Sequence, residues 1–117
     1  MKYLCLIYSD EKQFASWAEA QYKSALAEYM AFTDGVRESG HLIAAERLQR
    51  TQTATTIRSR NGKISTTDGP FAETKEQLGG FYLIDARDLN EAIQVASRIP
   101  GTRWGSIEVR PVWEMNA

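Results

Sequence analysis

The sequence predicts an α+β fold with elements in the order β-α-β-(hairpin)-β-α-β. Three observations lead there. Residues 2–8 and 79–86 are almost continuously apolar and too short for buried helices, which makes them strands. Two stretches of helical period, 16–39 and 88–99, each stand between predicted strands. Between the two halves lies Asn61-Gly62 flanked by extended, threonine-rich sequence, a hairpin signal because a type I′ turn needs positive φ at both central residues.

In order along the chain, Tyr3 to Tyr8 forms the first strand, expected to be buried on both faces, with Leu4, Leu6 and Tyr8 opposite Tyr3, Cys5 and Ile7. Ser16 followed by Glu19 reads as a capping box. Behind it Tyr22, Ala25, Leu26, Tyr29, Thr33 and Val36 share one helical face, and Gly40 fits the left-handed stop beyond the C-terminus. Residues 41–49 and 53–60 are extended. A two-residue turn pairs Arg60 with Lys63 and Arg58 with Ser65, which puts these four on one face and Ile57, Ile64 and Thr66 on the other. Asp88 and Glu91 cap a second helix whose predicted stripe is Leu89, Ala92, Ile93, Ala96 and Ile99, ended by Pro100. Residues 105–113 close the chain as a strand with Ile107 and Val109 on one face and Glu108 and Arg110 on the other. Two helices serving as crossovers give a ferredoxin-like α+β sandwich, both helices on one side of the sheet. The open side would be apolar along the first strand, and a second copy packed face to face is the simplest cover, so a homodimer is expected.

Composition narrows the function classes. The 117 residues suffice for a single domain that buries about 65% of its unfolded surface. With 14 Lys+Arg against 15 Asp+Glu the chain has no basic excess for gripping a phosphate backbone. The acid-free basic stretch Arg47, Arg50, Arg58, Arg60 and Lys63 lacks interleaved aromatics, so no nucleic-acid partner is expected. One cysteine and one histidine exclude an intramolecular disulfide and a Cys/His zinc site, and no metal or other cofactor is expected. The first apolar run spans Tyr3 to Tyr8, short of a signal-peptide core or a membrane span, so a cytoplasmic protein without membrane attachment is expected.

The segment Thr67-Asp68-Gly69-Pro70-Phe71 through Gly79-Gly80 to Asp85 carries the most distinctive pattern. Asp68 can form the turn by accepting from the backbone two residues on, with Pro70 fixing φ. Alternatively the turn aims Asp68, or Glu73, Lys75 and Glu76, into a cleft. Gly79-Gly80 would permit close approach by a ligand or by a neighbouring strand. From Thr67 to Asp85 the sequence resembles the signature of the DGPF group of YCII-related proteins. The opening MKYLCLIYSDE, the hairpin RSRNGK and the closing GSIEVRPV agree with the same resemblance. The resemblance implies a ferredoxin-like domain that pairs into a dimeric α/β barrel, akin to muconolactone-isomerase-type barrels. It also implies a connection to extracytoplasmic-function sigma factors. Founding members carry a His on the first helix and an Asp before the proline after the second; here that helix has no His and Ile99 precedes Pro100. The motif therefore points to Asp68 as the substitute carboxylate.

The candidate site residues follow. Asp68 and His41 are the candidate acid/base groups, since a carboxylate at a tight turn and a lone imidazole are the available proton carriers. The plainer reading of His41, and the favoured one, is an ordinary strand-start residue. Arg110, Glu108, Arg58 and Tyr82 are the candidate ligand contacts, with Arg110 able to hold an anion bidentately. A paired Glu108–Arg110 network inside a dimer is the plainer alternative. Trp17, Tyr22, Tyr29 and Phe32 are most simply core or dimer contacts, and Cys5 an inert buried thiol. The expected function is binding of a small anionic metabolite, with isomerase- or lyase-like turnover through Asp68. The alternative is a non-catalytic module for a sigma-factor-related protein.

Overall fold

The computed structural model describes residues 1–115. The elements are β1 (Lys2–Ser9), α1 (Glu11–Ala15), α2 (Glu19–Glu38), β2 (Leu42–Arg47), β3 (Thr55–Arg60), β4 (Lys63–Asp68), β5 (Gln77–Asp85), α3 (Leu89–Ala96) and β6 (Gly105–Pro111). Single 3-10 turns lie at Thr51–Thr53 and Pro100–Arg103. Four strands form an antiparallel sheet in the order β2-β5-β1-β6, and β3-β4 is a separate two-stranded hairpin. An α+β arrangement with this order is consistent with the ferredoxin-like sandwich.

Alternation along β1 and β5 sends Tyr3, Cys5, Tyr82 and Ile84 to one face, where they pack with Val36 of α2, Ala92, Val95 and Ala96 of α3, and Ile99. Both helices therefore cover the same side. On the other face Leu4, Leu6 and Tyr8 pair laterally with Leu83, Phe81 and Leu78 of β5, and with Arg110, Glu108 and Ser106 of β6. This face is half-buried at its apolar centre, and the molecule is only 18 Å thick, the depth of one sheet and one helix layer.

The hairpin projects from the layers. Asn61 at φ 53° and Gly62 at φ 75° form the turn, and Arg60 faces Lys63 while Arg58 faces Ser65, as the two-residue loop requires. Ile57 and Ile64 on its other face are 66% and 69% exposed. The radius of gyration is 16.4 Å, against about 13 Å for a compact chain of this length, and the projecting hairpin accounts for the excess.

Three sequence expectations need correction. The helix predicted over 16–39 forms as α2 but starts only at Glu19, and a separate short helix that the sequence did not predict precedes it: Asp10 caps α1 by accepting from Lys12 N–H at 2.9 Å, and Ser16 ends it by donating to Gln13 O. The Ser16–Glu19 capping box does not form. Trp17 instead packs edge-on against Phe14 and Trp104, with ring centroids 4.8 and 5.1 Å away, and this anchor breaks the helix before Ala18. Gln21 Oε1 then accepts from Ala18 N–H at the start of α2. At the other end of α2 the forecast stop holds: Gly40 has φ 82°, Gly40 N–H donates to Arg37 O and His41 N–H to Val36 O, a Schellman motif. On α3 the buried face is Ala92, Val95 and Ala96, continuing to Ile99, while Leu89 and Ile93 are exposed. A two-turn helix carries overlapping apolar arcs, and small alanines let it lie close to β1 and β5. The last strand ends at Pro111, not at residue 113: one further ladder bond, Val112 N–H to Lys2 O at 3.0 Å, reaches the first residue of β1, where the partner strand begins.

Gly80 sits where β5 meets β2, and a Cβ there would lie 2.8 Å from Glu46 O, a backbone atom that cannot swing away. Gly79 has its nearest neighbour at 3.9 Å. Gly80→Ala is expected to destabilise the protein by about 1–3 kcal/mol and Gly79→Ala to change stability by less than about 0.5 kcal/mol, as read from urea unfolding midpoints.

Candidate functional site

The strands end in two clusters. At one end lie Leu42, Asp85 and Pro111; at the other lie Ser9, Arg47, Gln77 and Gly105. Beneath α2, at the second end, is a cavity of about 400 Å³. Its origin is a packing mismatch. The sheet side is floored by Ala45, Gly79 and Gly80, which offer no bulk, and the roof is Tyr22, Ala25, Leu26 and Tyr29 of α2. The apolar stripe of α2 therefore closes on the sheet at Phe32 and Val36, where the floor is Tyr82 and Ile84, and stands off from it over its first half. Phe14, Trp17 and Trp104 wall the open end.

Polar groups on this wall are few and fixed. Arg47 Nη2 donates to the Tyr22 hydroxyl, and its guanidinium lies over the Tyr22 ring, 5.4 Å from the centroid. Glu11 accepts from the Thr51 hydroxyl at 2.7 Å and from Thr51 N–H, while Gln77 Oε1 accepts from Glu11 N–H at 2.9 Å. These bonds clamp α1 and the Thr51 turn to the start of β5. Deeper in, the Tyr82 and Thr33 hydroxyls are 2.6 Å apart, and burial pushes the Tyr82 phenol up. Burial also pushes Tyr29 up to about 12. A Cβ at Gly101 would come 2.5 Å from the Tyr29 hydroxyl, so that glycine is what admits the phenol.

The candidate residues from sequence do not converge on this cavity. Tyr82 alone lines it. Glu108 and Arg110 lie on the opposite face of the sheet, paired to each other at 2.9 Å with Arg110 exposed, so within one chain they form no buried network. Arg58 is on the hairpin and donates to Phe71 O at 3.3 Å. Asp68 ends β4 at the hairpin root, and among the described residues its carboxylate accepts no hydrogen bond. The turn is not held by Asp68, since two residues on stands Pro70, which has no N–H. Gly69 N–H donates to Ala54 O at 2.7 Å instead, and the Thr56 hydroxyl donates to Gly69 O at 2.8 Å.

His41 lies at the far end of the sheet. Its Nδ1 is 2.6 Å from Ser39 Oγ and its Nε2 3.2 Å from Glu91 Oε1. Although a hydroxyl, an imidazole and a carboxylate stand in line, Ser39 caps the C-terminus of α2, where exposed carbonyls disfavour a developing oxyanion. Glu91 also accepts from Arg87 N–H, and this bond first, with His41 second, holds its carboxyl below the usual range. The arrangement pins the end of α2 to the start of α3. Cys5 is buried in the core and its thiol is pushed up to about 11, as an inert apolar group. Among the described residues no group of three or more His, Cys, Asp or Glu is placed to hold a metal, and no helix is long and apolar enough to cross a membrane.

Sequence reasoning missed Arg47, Glu11, Gln77 and Trp104 as cavity residues and assigned Trp17, Tyr22 and Tyr29 to core or dimer contacts. The available signal was the aromatic stripe of α2 facing a glycine pair; a stripe with nothing bulky opposite leaves space. Gly79-Gly80 itself serves the neighbouring strand at Gly80 and a register shift between Ile7 and Tyr8 in the β1–β5 pairing.

The neutral form of Tyr29 is favoured by folding, so this contribution to stability is fully present below the ordinary tyrosine value of 10 and is lost as pH rises through about 12. Absorbance titration at 295 nm is expected to show two phenols, Tyr29 and Tyr82, ionising late together with alkaline unfolding, and Tyr29→Phe to remove one of the two.

A model of the YCII-related domain family matches residues 1–116. A protein of Rhizobium meliloti (strain 1021), named only as uncharacterised, is 40% identical over 116 residues, covering 96% of this chain and 92% of its own length. By both matches the chain belongs to the YCII-related domain family.

Proposed function

We propose that this protein binds a small molecule in the cavity between the first half of α2 and the Ser9–Gln77 end of the sheet. One observation carries the reading: an aromatic-lined space of about 400 Å³ at whose edge Arg47, Glu11 and Gln77 are held in place by hydrogen bonds. That size and lining are typical of pockets that take small organic ligands, and packing alone would not leave such a void in a domain this small. Turnover, if the ligand is a substrate, would use Asp68 as acid/base, since its exposed carboxylate sits at the hairpin root near the same sheet end. The test is a thermal-shift screen of small metabolites against wild type, Asp68→Ala and Ala25→Phe. Ala25→Phe fills the cavity and is expected to fold and to lose all ligand-induced stabilisation. Equal stabilisation of wild type and Ala25→Phe would overturn the cavity reading. Equal stabilisation and turnover in Asp68→Ala would make Asp68 a hairpin residue only.

The homodimer belongs to the same proposal. Leu4, Leu6, Tyr8, Phe81 and Leu83 form an apolar strip on the face that no helix of this chain covers, rimmed by Glu108 and Arg110. Face-to-face packing of two such sheets would complete a barrel and give the hairpin, with its exposed Ile57 and Ile64, a second chain to lie on. Sedimentation equilibrium is expected to give twice the chain mass for wild type and the chain mass for Leu6→Arg. A wild-type monomer at tens of micromolar would remove the dimer. That hairpin face also supports the second reading, an interaction module for a transcription-related protein partner. Association of such a partner with wild type but not with an Ile57→Ser/Ile64→Ser variant is the result that would favour it.

A further inference from the structure

We infer that the ligand of this cavity is a compact aromatic carboxylic acid, its ring inside and its carboxylate on Arg47 at the rim; this rests on the cavity reading above. The charge distribution carries the inference. Inside, the walls are Ile7, Ala25, Leu26, Tyr29 and Trp104, and the two hydroxyls are already engaged, Tyr82 donating to Thr33 and Thr33 to Tyr29 O. A charged ligand buried there would have no counter-charge, so the body that fits is uncharged. The aromatic side chains favour a ring, through edge contacts of the kind Trp17, Trp104 and Tyr29 already make with each other.

The rim is different. Arg47 and Arg50 line it, and among the described residues neither guanidinium has a carboxylate partner. The acid that also lines this end, Glu11, accepts from the N–H and hydroxyl of Thr51 and makes no ion pair with either guanidinium. Glu46 also borders the cavity, but it lies between Ala45 and Arg47, whose side chains face α2, so strand alternation turns its side chain to the opposite face. Tyr22 holds the Arg47 guanidinium by its hydroxyl and its ring, which fixes the planar fork without discharging it. A fixed, unpaired guanidinium beside an apolar mouth matches a carboxylate, which it can take with two parallel N–H···O bonds.

The indole N–H resonances of Trp17 and Trp104 report from the cavity wall, and that of Trp113, 90% exposed, serves as the internal control. Titrations with trans-cinnamate and with uncharged cinnamyl alcohol, followed in nitrogen-15-labelled full-length protein, are expected to move the first two resonances and leave the third. Cinnamate is expected to bind about tenfold tighter than the alcohol, the worth of one charge-assisted contact at a rim. Arg47→Gln is expected to bring cinnamate to the level of the alcohol, and added salt to weaken cinnamate but not the alcohol. If acid and alcohol bind wild type equally, or if Arg47→Gln and salt leave the difference intact, the carboxylate inference is overturned while the cavity reading stands. If neither compound moves Trp17 or Trp104 up to about 10 mM, the aromatic-acid inference is overturned, and the metabolite screen with Ala25→Phe decides the cavity reading on its own. Arg47 is exposed, so its substitution leaves the core untouched, and the salt series tests the same point on the unaltered protein.

Discussion

The rest of the structure depends on the one-sided burial of the β1–β5 pair. Tyr3, Cys5, Tyr82 and Ile84 present side chains to Val36, Ala92, Val95, Ala96 and Ile99, and these residues form the fully packed core of the chain. Complete burial of such side chains is worth about 1.5–3 kcal/mol each before the cost of ordering the chain, so this patch is where two helices and two central strands become one unit. It occupies one end of the sheet. Past Tyr82 the strand continues as Gly80 and Gly79, while α2 continues as large aromatics at wider spacing, and the layers separate. Core and cavity are thus two halves of one interface, distinguished by side-chain volume on the strand side.

The polar arrangement follows the same division. At the packed end His41, Ser39 and Glu91 tie helix to helix and face no cavity. At the hollow end Glu11, Gln77 and Thr51 tie loops to strands, and the guanidinium of Arg47 is held by an aromatic phenol without an opposing acid. The one acid of this clamp, Glu11, makes no ion pair with Arg47, so the opening carries a guanidinium without a carboxylate partner over an apolar interior. The two groups that the sequence offered for anion binding, Arg110 and Arg58, have partners of their own on other surfaces.

How much of this was legible in the sequence depends on the range of the physics involved. Short-range signals transferred faithfully. Asn61-Gly62 set the hairpin turn and with it the pairing of Arg58 and Arg60, because a two-residue loop admits one register. Gly40 ended α2, and Asp88 capped α3 by accepting from Glu91 N–H at 2.9 Å. Signals that depend on a partner surface did not transfer. The Ser16–Glu19 pattern had the chemistry of a cap, yet Trp17 gained more from Phe14 and Trp104, residues that only the folded chain brings together. The apolar stripe of α3 likewise had two plausible faces, and the sheet selected the one bearing alanines.

The sequence by itself determined the element order, the strand faces, the turn geometry and the family, because each is encoded by neighbours within a few residues or by a contiguous motif. The tertiary structure alone decided where the site lies. Empty space is a property of two surfaces, and the mismatch between Gly79-Gly80 and the aromatics of α2 exists only once a strand from the second half of the chain lies beneath a helix from the first. The guanidinium at its mouth was settled in the same way, since Arg47 of β2 is held by Tyr22 of α2, a pair that only the folded chain brings together.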